Sequence, residues 1–354
     1  MRQIDFQNAK IMSSKQKIVQ DLESLVNARP DLAKSLETAL RISNLAGIET
    51  LHEFYHFLNK ILTHIPTEKD LVPSVREFYF ILGNYPDGLL KEDPDFNKCI
   101  RDFVLTRGSF MDTTESAQNL DTFINNPDYN IDDYTKGPGG WLTYNQFLAR
   151  QVKPGRRPVA GLCDDSIIVS PADSEFCGQW PINDNSTITA KGVSYSITEL
   201  ISGSAYADKF KDGIFTHSFL SIADYHRFHV PIGGIIREVK KIPASTWIHE
   251  GKKADGSVEN IDDVGFQFTH TRGYVVIESP IGFVAIIPVG MGHISSVTFT
   301  AEEGARLVKG EEFGFFAFGG SDIIMLFQQG KIKFNAKEKV HYKQGEQIAV
   351  AVKA

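Results

Sequence analysis

Hydrophobic and polar residues along this chain follow two different periods. Over residues 13–107, apolar residues recur every three or four positions, as in Ile18, Leu22 and Val26 and again over residues 51–62. This is the spacing that places apolar side chains on one face of a helix. The first part of the chain is therefore predicted to be mostly helical.

Beyond Asp164 the pattern changes to short runs of β-branched and aromatic residues separated by turn residues, which predicts successive strands. The predicted strands are SIIVS, STITA, VGFQFTH, GYVVIES, GFVAIIPVG, SSVTFT, GFFAFGG, IIMLF and IAVAV. The longest apolar stretch runs from Tyr274 to Met291 but is interrupted by Glu278, Pro280 and glycines. It predicts a β-hairpin rather than a membrane span.

Residues 126–140 are rich in aspartate and close on the tetrapeptide GPGG, which is typical of a connecting loop. We therefore expect an α+β protein, with a helical N-terminal region over residues 1–135 and a predominantly β catalytic domain over residues 136–354. The helical region has no cluster of polar catalytic groups beside its aromatic residues, which indicates a packing or oligomerisation role. The sequence leaves homo-oligomerisation open.

The charge balance and the cysteines limit the classes of partner. The 354 residues include 37 Lys and Arg against 44 Asp and Glu, a net charge of −7, which disfavours binding to nucleic acid. Cys99, Cys163 and Cys177 lack metal-ligand spacing, so we expect reduced thiols, no metal and a cytoplasmic location. The first twenty residues carry five charged side chains, and we expect neither a secretory signal nor an anchor there, and at most peripheral membrane contact.

The densest basic segment, KPGRRP at residues 153–158, is interpreted as a solvated linker in preference to a phosphate site.

The segment GFFAFGGSDIIMLF places Ser321 directly after two glycines inside apolar, strand-like sequence. Glycine permits strained backbone dihedrals, so the Ser321 hydroxyl could reach the Gly320 carbonyl and exchange the amide for an ester. Elimination would release a chain ending at Gly320, and hydrolysis of the resulting dehydroalanine would leave a pyruvoyl group ahead of residues 322–354. A bulge or a tight bend in a sheet is the alternative interpretation of the same segment.

Two other segments, ADYHRFHVPIGG at residues 223–234 and IIVSPADS at residues 167–174, accompany this site. Together the three resemble the phosphatidylserine decarboxylase family, whose members carry a SPADG-like segment, a YHR-x-H-x-P segment and a C-terminal G-S-[ST] segment, and all three occur here in the family's order. The resemblance extends from GGWLTYNQFLAR at residues 139–150 to the C-terminus. The chain departs from the family pattern at Ser174, at Gly233-Gly234 and at Asp322, where a hydroxyl residue is common.

The resemblance implies cleavage between Gly320 and Ser321 and a covalent pyruvoyl cofactor derived from Ser321. It also implies that His229 activates the Ser321 hydroxyl, that Asp173 orients the His229 imidazole, and that His226 binds the substrate or transfers a proton during decarboxylation. His293 is similar to a family segment that lines the substrate pocket. His217, His249 and His270 receive no assignment.

Removing carbon dioxide from an α-amino acid leaves a carbanion, and a ketone that condenses with the substrate amine can delocalise that charge. The resemblance implies a carboxy-lyase of phospholipid biosynthesis that converts phosphatidylserine to phosphatidylethanolamine, with the two cleaved chains remaining partners. A free amino acid, such as the aromatic amino acid tryptophan, is the alternative substrate. An inactive binding or assembly protein on the same scaffold is the alternative of another class.

Overall fold

The structure, a computed structural model, describes residues 17–45, 47–83, 88–183, 187–190, 193–243, 250–252, 258–260, 266–290, 296–318 and 321–352. The chain forms two compact units. The first consists of residues 1–125, 141–144 and 245–263, and the second of residues 126–140, 145–244 and 264–354. The predicted boundary between residues 135 and 136 stays a prediction.

The first unit is mainly helical, as the apolar spacing predicts. Its elements are α1 (residues 17–28), α2 (Pro30–Ser43), α3 (Leu51–Thr63), α4 (Leu71–Gly83), α5 (Leu89–Glu92), α6 (Pro94–Phe110), a 3-10 turn (Thr114–Ala117) and α7 (Leu120–Ile124), with the later strands β8 (Glu250–Lys252) and β9 (Val258–Asn260).

Helix α3 illustrates why these segments are helical. Thr50 and Glu53 form a capping box, in which each side chain accepts a hydrogen bond from the other residue's backbone N–H. Phe54, Leu58 and Leu62 then recur every four residues and are fully buried. Satisfied N–H groups at the start of the helix and one buried face together stabilise it.

The second unit is predominantly β, which confirms the α+β prediction. Its helical elements are 3-10 turns (Pro127–Tyr129, Ile131–Asp133, Ala207–Phe210), α8 (Tyr144–Leu148), α9 (Ile197–Leu200) and α10 (Phe266–Thr269). Its strands are β1 (Ile167–Val169), β2 (Ser174–Pro181), β3 (Thr187–Ala190), β4 (Val193–Ser196), β5 (Ile214–Leu220), β6 (Arg227–His229), β7 (Gly234–Ile242), β10 (Arg272–Ser279), β11 (Gly282–Gly290), β12 (Val297–Phe299), β13 (Arg306–Leu307), β14 (Glu312–Phe316), β15 (Ser321–Phe327), β16 (Ile332–Phe334), β17 (Val340–Tyr342) and β18 (Gln347–Ala351).

An eight-stranded antiparallel sheet organises this unit, in the order β13-β7-β10-β11-β15-β5-β2-β17. Smaller sheets have the orders β1-β18-β16, β12-β14-β6 and β3-β4. The predicted hairpin is confirmed, because β10 and β11 pair up to Ser279 and Gly282 at the turn.

Strand β15 lies inside the large sheet and is buried on both faces. Ile323, Met325 and Phe327 belong to one apolar cluster, whereas Ile324 and Leu326 belong to another. Because successive side chains in a strand point to opposite faces, the two clusters lie on opposite sides of the sheet.

The prediction that VGFQFTH forms a strand is wrong, because Phe266–Thr269 forms the short helix α10. Two consecutive side chains of α10 contact the same face of the large sheet: Gln267 donates a hydrogen bond to Asp322, and Phe268 stacks on Phe215. Consecutive residues of a strand point to opposite sides, so only a helical turn allows both contacts.

Glycine is required at position 314 of β14, and we predict that Gly314→Ala destabilises the protein by about 1–3 kcal/mol. A Cβ atom at this position would overlap the Thr298 carbonyl oxygen and the Phe228 ring. Gly108→Ala is the control: a Cβ atom there meets no neighbour, and alanine favours helix α6 by about 1 kcal/mol. Urea unfolding of both variants checks this, and equal stability of Gly314→Ala and the wild type would contradict it.

Candidate active site

Ser321 is the first residue of β15, where it pairs with Gly290 of β11 and Leu220 of β5. It is fully buried, and its hydroxyl has no hydrogen-bond partner among the residues that the structure describes, which exclude Gly319 and Gly320. Alternation along β15 places its side chain on the face of Ile323, whose cluster includes Phe228 and Phe316. A buried hydroxyl without a hydrogen-bond partner is uncommon, and a catalytic role is one explanation for such a group.

The backbone before the predicted cleavage site adopts an unusual conformation. Phe318 has a φ of 71°, a left-handed value that is strained for a bulky side chain. The preceding residue is fixed on both sides, because the Ser296 hydroxyl donates to the Ala317 carbonyl at 2.8 Å and accepts from the Ala317 N–H at 3.2 Å. Strain of this kind persists only where the surrounding structure holds it, often at functional sites.

Backbone pairing brings the three sequence motifs into one region. Strand β6, which ends at His229, pairs with β14, the strand that leads through residues 317–320 to Ser321. The Phe316 N–H donates to the His226 carbonyl at 2.9 Å, and the His229 N–H donates to the Pro171 carbonyl of the SPAD segment at 2.8 Å. The histidine segment thus contacts both the SPAD segment and β14, the strand that precedes the predicted cleavage site.

The hydrogen bonds of the buried His229 ring fix its tautomer. Nδ1 lies 2.8 Å from the Gly310 carbonyl, which can only accept, so Nδ1 carries the proton. Nε2 keeps its lone pair and accepts from the Tyr225 hydroxyl at 3.1 Å. Burial lowers the pKa of His229 to about 4, against the opposing effects of the Gly310 hydrogen bond and the Asp173 charge. At pH 7 the ring is therefore neutral, which is the form that a general base requires.

Asp173 is buried and held by Arg157, whose guanidinium donates to both carboxylate oxygens over 2.6–3.0 Å. The Gln344 N–H also donates to it, at 2.8 Å, and Arg157 contacts Asp133 as well at 2.9 Å. The hydrogen bonds of the His229 ring go to other groups, so Asp173 influences that ring through its charge.

The interpretation of KPGRRP as a solvated linker is wrong for Arg157, whose side chain is only 3% exposed. A buried carboxylate needs a partner of opposite charge, and Arg157 supplies it to Asp173.

His226 precedes β6 and is fully buried. Its Nδ1 donates to the Asp224 carbonyl at 2.9 Å, since that oxygen can only accept. The Asp224 side chain is fixed in turn, because it accepts from His341 Nε2 at 2.7 Å and from the Ser221 N–H at 2.7 Å. A hydrogen-bonded turn thus orients His226 separately from His229. The other predicted pocket residue, His293, lies outside the described residues.

Sequence reasoning missed three groups at this site. Tyr225 lies inside the YHR segment, so the motif contained the signal for it. The only sequence signal for Arg157 was the basic segment at residues 153–158, and no sequence signal pointed to His217. His217 contacts Asp322, the residue that follows Ser321, at 2.8 Å.

The β-rich unit and its buried serine, histidines and aspartate define a candidate self-processing site. The sequence profile described as phosphatidylserine decarboxylase matches residues 144–350. The chain is similar to phosphatidylserine decarboxylase proenzyme 2 of Oryza sativa subsp. japonica, at 30% identity over 70% of this chain and 40% of the relative. It is also similar to proenzyme 3 of Schizosaccharomyces pombe, at 31% identity over 73% of this chain and 27% of the relative. The proenzyme of Fusobacterium nucleatum is 28% identical over 64% of this chain and 73% of the relative.

This chain belongs to the phosphatidylserine decarboxylase family, because the family profile covers more than half of it. It spans less than half the length of the rice and fission-yeast relatives. Among the described residues, none of the helices is both long and apolar enough to cross a bilayer.

The low pKa of His229 predicts a loss of stability in acid. Its folded pKa of about 4 lies below the ordinary 6.5, so the unfolded chain takes up a proton that the folded chain resists. The contribution is complete above the unfolded pKa and is lost as pH falls through the folded pKa, by about 3 kcal/mol at most. Urea midpoints measured from pH 7 to pH 4 on a Ser321→Ala chain should fall, and a further His229→Gln substitution should reduce the fall.

His52, an exposed residue of α3, provides the matched control. His52→Gln should leave the acid dependence of the urea midpoint unchanged. An identical acid dependence with and without His229 would contradict the prediction.

Proposed function

We propose that this chain is the proenzyme of a decarboxylase that cleaves itself between Gly320 and Ser321 and converts phosphatidylserine to phosphatidylethanolamine. The observation that carries the proposal is the fully buried Ser321 hydroxyl, which lacks a hydrogen-bond partner among the described residues. The names of the relatives support both the proenzyme state and the lipid substrate.

Self-cleavage begins when Ser321 Oγ bonds to the Gly320 carbonyl carbon and the amide C–N bond breaks, leaving an ester and a free Ser321 amine. We assign the removal of the hydroxyl proton to His229, whose ring is neutral at pH 7. As this ring gains the proton, the nearby negative charge of Asp173 stabilises the cation that forms. Arg157 fixes the Asp173 carboxylate in place with three hydrogen bonds.

Tyr225 occupies the Nε2 lone pair of His229 in the structure. The transfer of the proton therefore requires either rotation of the Tyr225 hydroxyl or passage of the proton through it. Elimination then removes the Ser321 Cα proton and breaks the Cβ–Oγ bond, so that Gly320 leaves as a carboxylate. Water then hydrolyses the dehydroalanine at residue 321. Its nitrogen leaves as ammonia, and a ketone remains at residue 321.

The environment of Ser321 fits a pyruvoyl group. The Ser321 side chain is buried on the face of an apolar cluster, and its hydroxyl has no hydrogen-bond partner among the described residues. This ketone, when formed, supplies the electron sink that decarboxylation needs. The chain's own residues exclude water from that position and hold it between β11 and β5. We assign His226 to proton transfer or substrate positioning, because the Asp224 carbonyl fixes its tautomer.

The two chains produced by cleavage would remain one body. The shorter chain contributes β15 between β11 and β5, and β18 between β1 and β16. These neighbours, except β16, belong to the longer chain, so the inter-strand hydrogen bonds and both apolar clusters join the products.

Ser321→Ala should leave a single 39.5 kDa chain in intact-mass measurement under denaturing conditions, whereas the wild type gives two chains. His229→Ala should also stay uncleaved, because the hydroxyl then lacks its base. Ser218→Ala is the matched control and should still give two chains. It removes a buried hydroxyl from the neighbouring strand on the same face of the sheet. Cleavage of the Ser321→Ala variant between residues 320 and 321 would refute the proposal.

Carbon dioxide release distinguishes the substrates. Wild-type protein offered phosphatidylserine vesicles and free amino acids in parallel should release carbon dioxide only from the vesicles, and treatment with hydroxylamine should abolish the release by blocking the ketone. Release from a soluble amino acid alone would overturn the lipid assignment and leave the self-cleavage intact.

A further inference from the structure

Asp322 directly follows the cleavage serine, but its side chain lies on the opposite face of the sheet. Ile323 shares the face of Ser321 and Ile324 shares the face of Asp322, because side chains alternate along a strand. The two isoleucines belong to different apolar clusters. Any influence of Asp322 on the Ser321 hydroxyl therefore acts through the backbone that joins them.

The Asp322 carboxylate is fully buried and forms an ion pair. Its Oδ2 atom lies 2.8 Å from Nε2 of His217, a residue of β5 that is 19% exposed. Gln267 of α10 donates a hydrogen bond of 3.0 Å to the same oxygen. Burial opposes the charge on His217, but Asp322 outweighs it and, with Cys177, raises the pKa of His217 to about 10. At neutral pH the His217 ring is therefore positively charged where it contacts the buried Asp322 carboxylate.

Stability alone gives a poor explanation for this pair. Burying two charges removes them from water, and apolar residues of similar volume often stabilise a fold equally well or better. The second oxygen of Asp322, Oδ1, has no hydrogen-bond partner in the described part of the chain, which adds to the cost. A buried pair retained under these conditions is better explained by the position that it fixes.

The position that it fixes is the amino end of β15. The ion pair and the Gln267 hydrogen bond tie this end to β5 and to α10, in addition to the backbone pairing of Asp322 with Val289 and Phe219. After cleavage, residue 321 would become a chain end, and chain ends fray unless they are held.

We propose that Asp322, held by His217 and Gln267, is a positioning residue that presents Ser321 to the scissile carbonyl and afterwards keeps the new chain end in the sheet. This inference rests on the proposed self-cleavage. It gives the departure of this chain from the family's hydroxyl residue a structural role.

The test follows the appearance of the two chains over time by intact mass. Asp322→Asn and His217→Gln should each slow cleavage by about 10- to 100-fold, because small misplacements of a reacting group have effects of this size. The double variant should be no slower than the slower single variant, since both remove the same pair. Gln267→Leu leaves the ion pair intact and should slow cleavage less.

Leu326→Ala is the matched control, because Leu326 is a fully buried residue on the same strand and the same face. It should lower the melting temperature but leave the cleavage rate unchanged. In cleaved protein, the amides of residues 322–326 should exchange hydrogen faster in Asp322→Asn than in the wild type, and kcat should fall more than KM changes.

Each outcome of these measurements either supports or refutes the proposed role of Asp322. If Asp322→Asn cleaves like the wild type, or if Leu326→Ala slows cleavage equally at an equal loss of melting temperature, the anchor is refuted and self-cleavage stands. If the wild type itself remains one chain, both proposals are refuted. Should the charge variants not accumulate as folded protein, an unchanged cleavage rate in Gln267→Leu refutes the anchor.

Discussion

The antiparallel pairing of β15 with β11 and β5 is the constraint on which the rest of this structure depends. It places Ser321 at the start of a strand that is buried on both faces, with the strained Phe318 just before the predicted scissile bond. The same pairing separates two adjacent side chains onto opposite sides of one sheet. The Ser321 hydroxyl and the Asp322 carboxylate can therefore serve different purposes although they are neighbours in sequence.

Two ion pairs with buried carboxylates belong to the candidate site and its surroundings. Arg157 and Asp173 lie beside the histidine segment, and His217 and Asp322 lie behind the serine. In each pair a basic side chain contacts a buried carboxylate, which offsets part of the cost of removing the carboxylate from water. In the first pair Arg157 holds the Asp173 carboxylate, whereas the His229 ring forms its hydrogen bonds with Tyr225 and Gly310.

The arrangement also reconciles cleavage with a stable product. A break after Gly320 would divide the chain, yet β15 would remain between β11 and β5 of the longer chain, and β18 would remain paired with β1 of the longer chain. Each apolar cluster draws residues from both sides of the break. Burial of apolar surface, which dominates folding free energy, would therefore hold the two chains together without a covalent link.

The sequence by itself determined the helices of the first unit and most strands of the second, because these follow from local periodicity. The roles of Ser321, His229, His226 and Asp173 come from short motifs and the family resemblance that these motifs carry, and they stay predictions. The tertiary structure decided the partners. Arg157 and Asp173 are 16 residues apart, and Gln267 and Asp322 are 55 apart. Such contacts depend on which elements become neighbours in the fold, and the periodicity of the sequence does not specify these neighbours. For the same reason, the sequence pattern of VGFQFTH predicts a strand, whereas Phe266–Thr269 forms a helical turn against the sheet. In this turn Gln267 and Phe268 both contact the same face of the sheet.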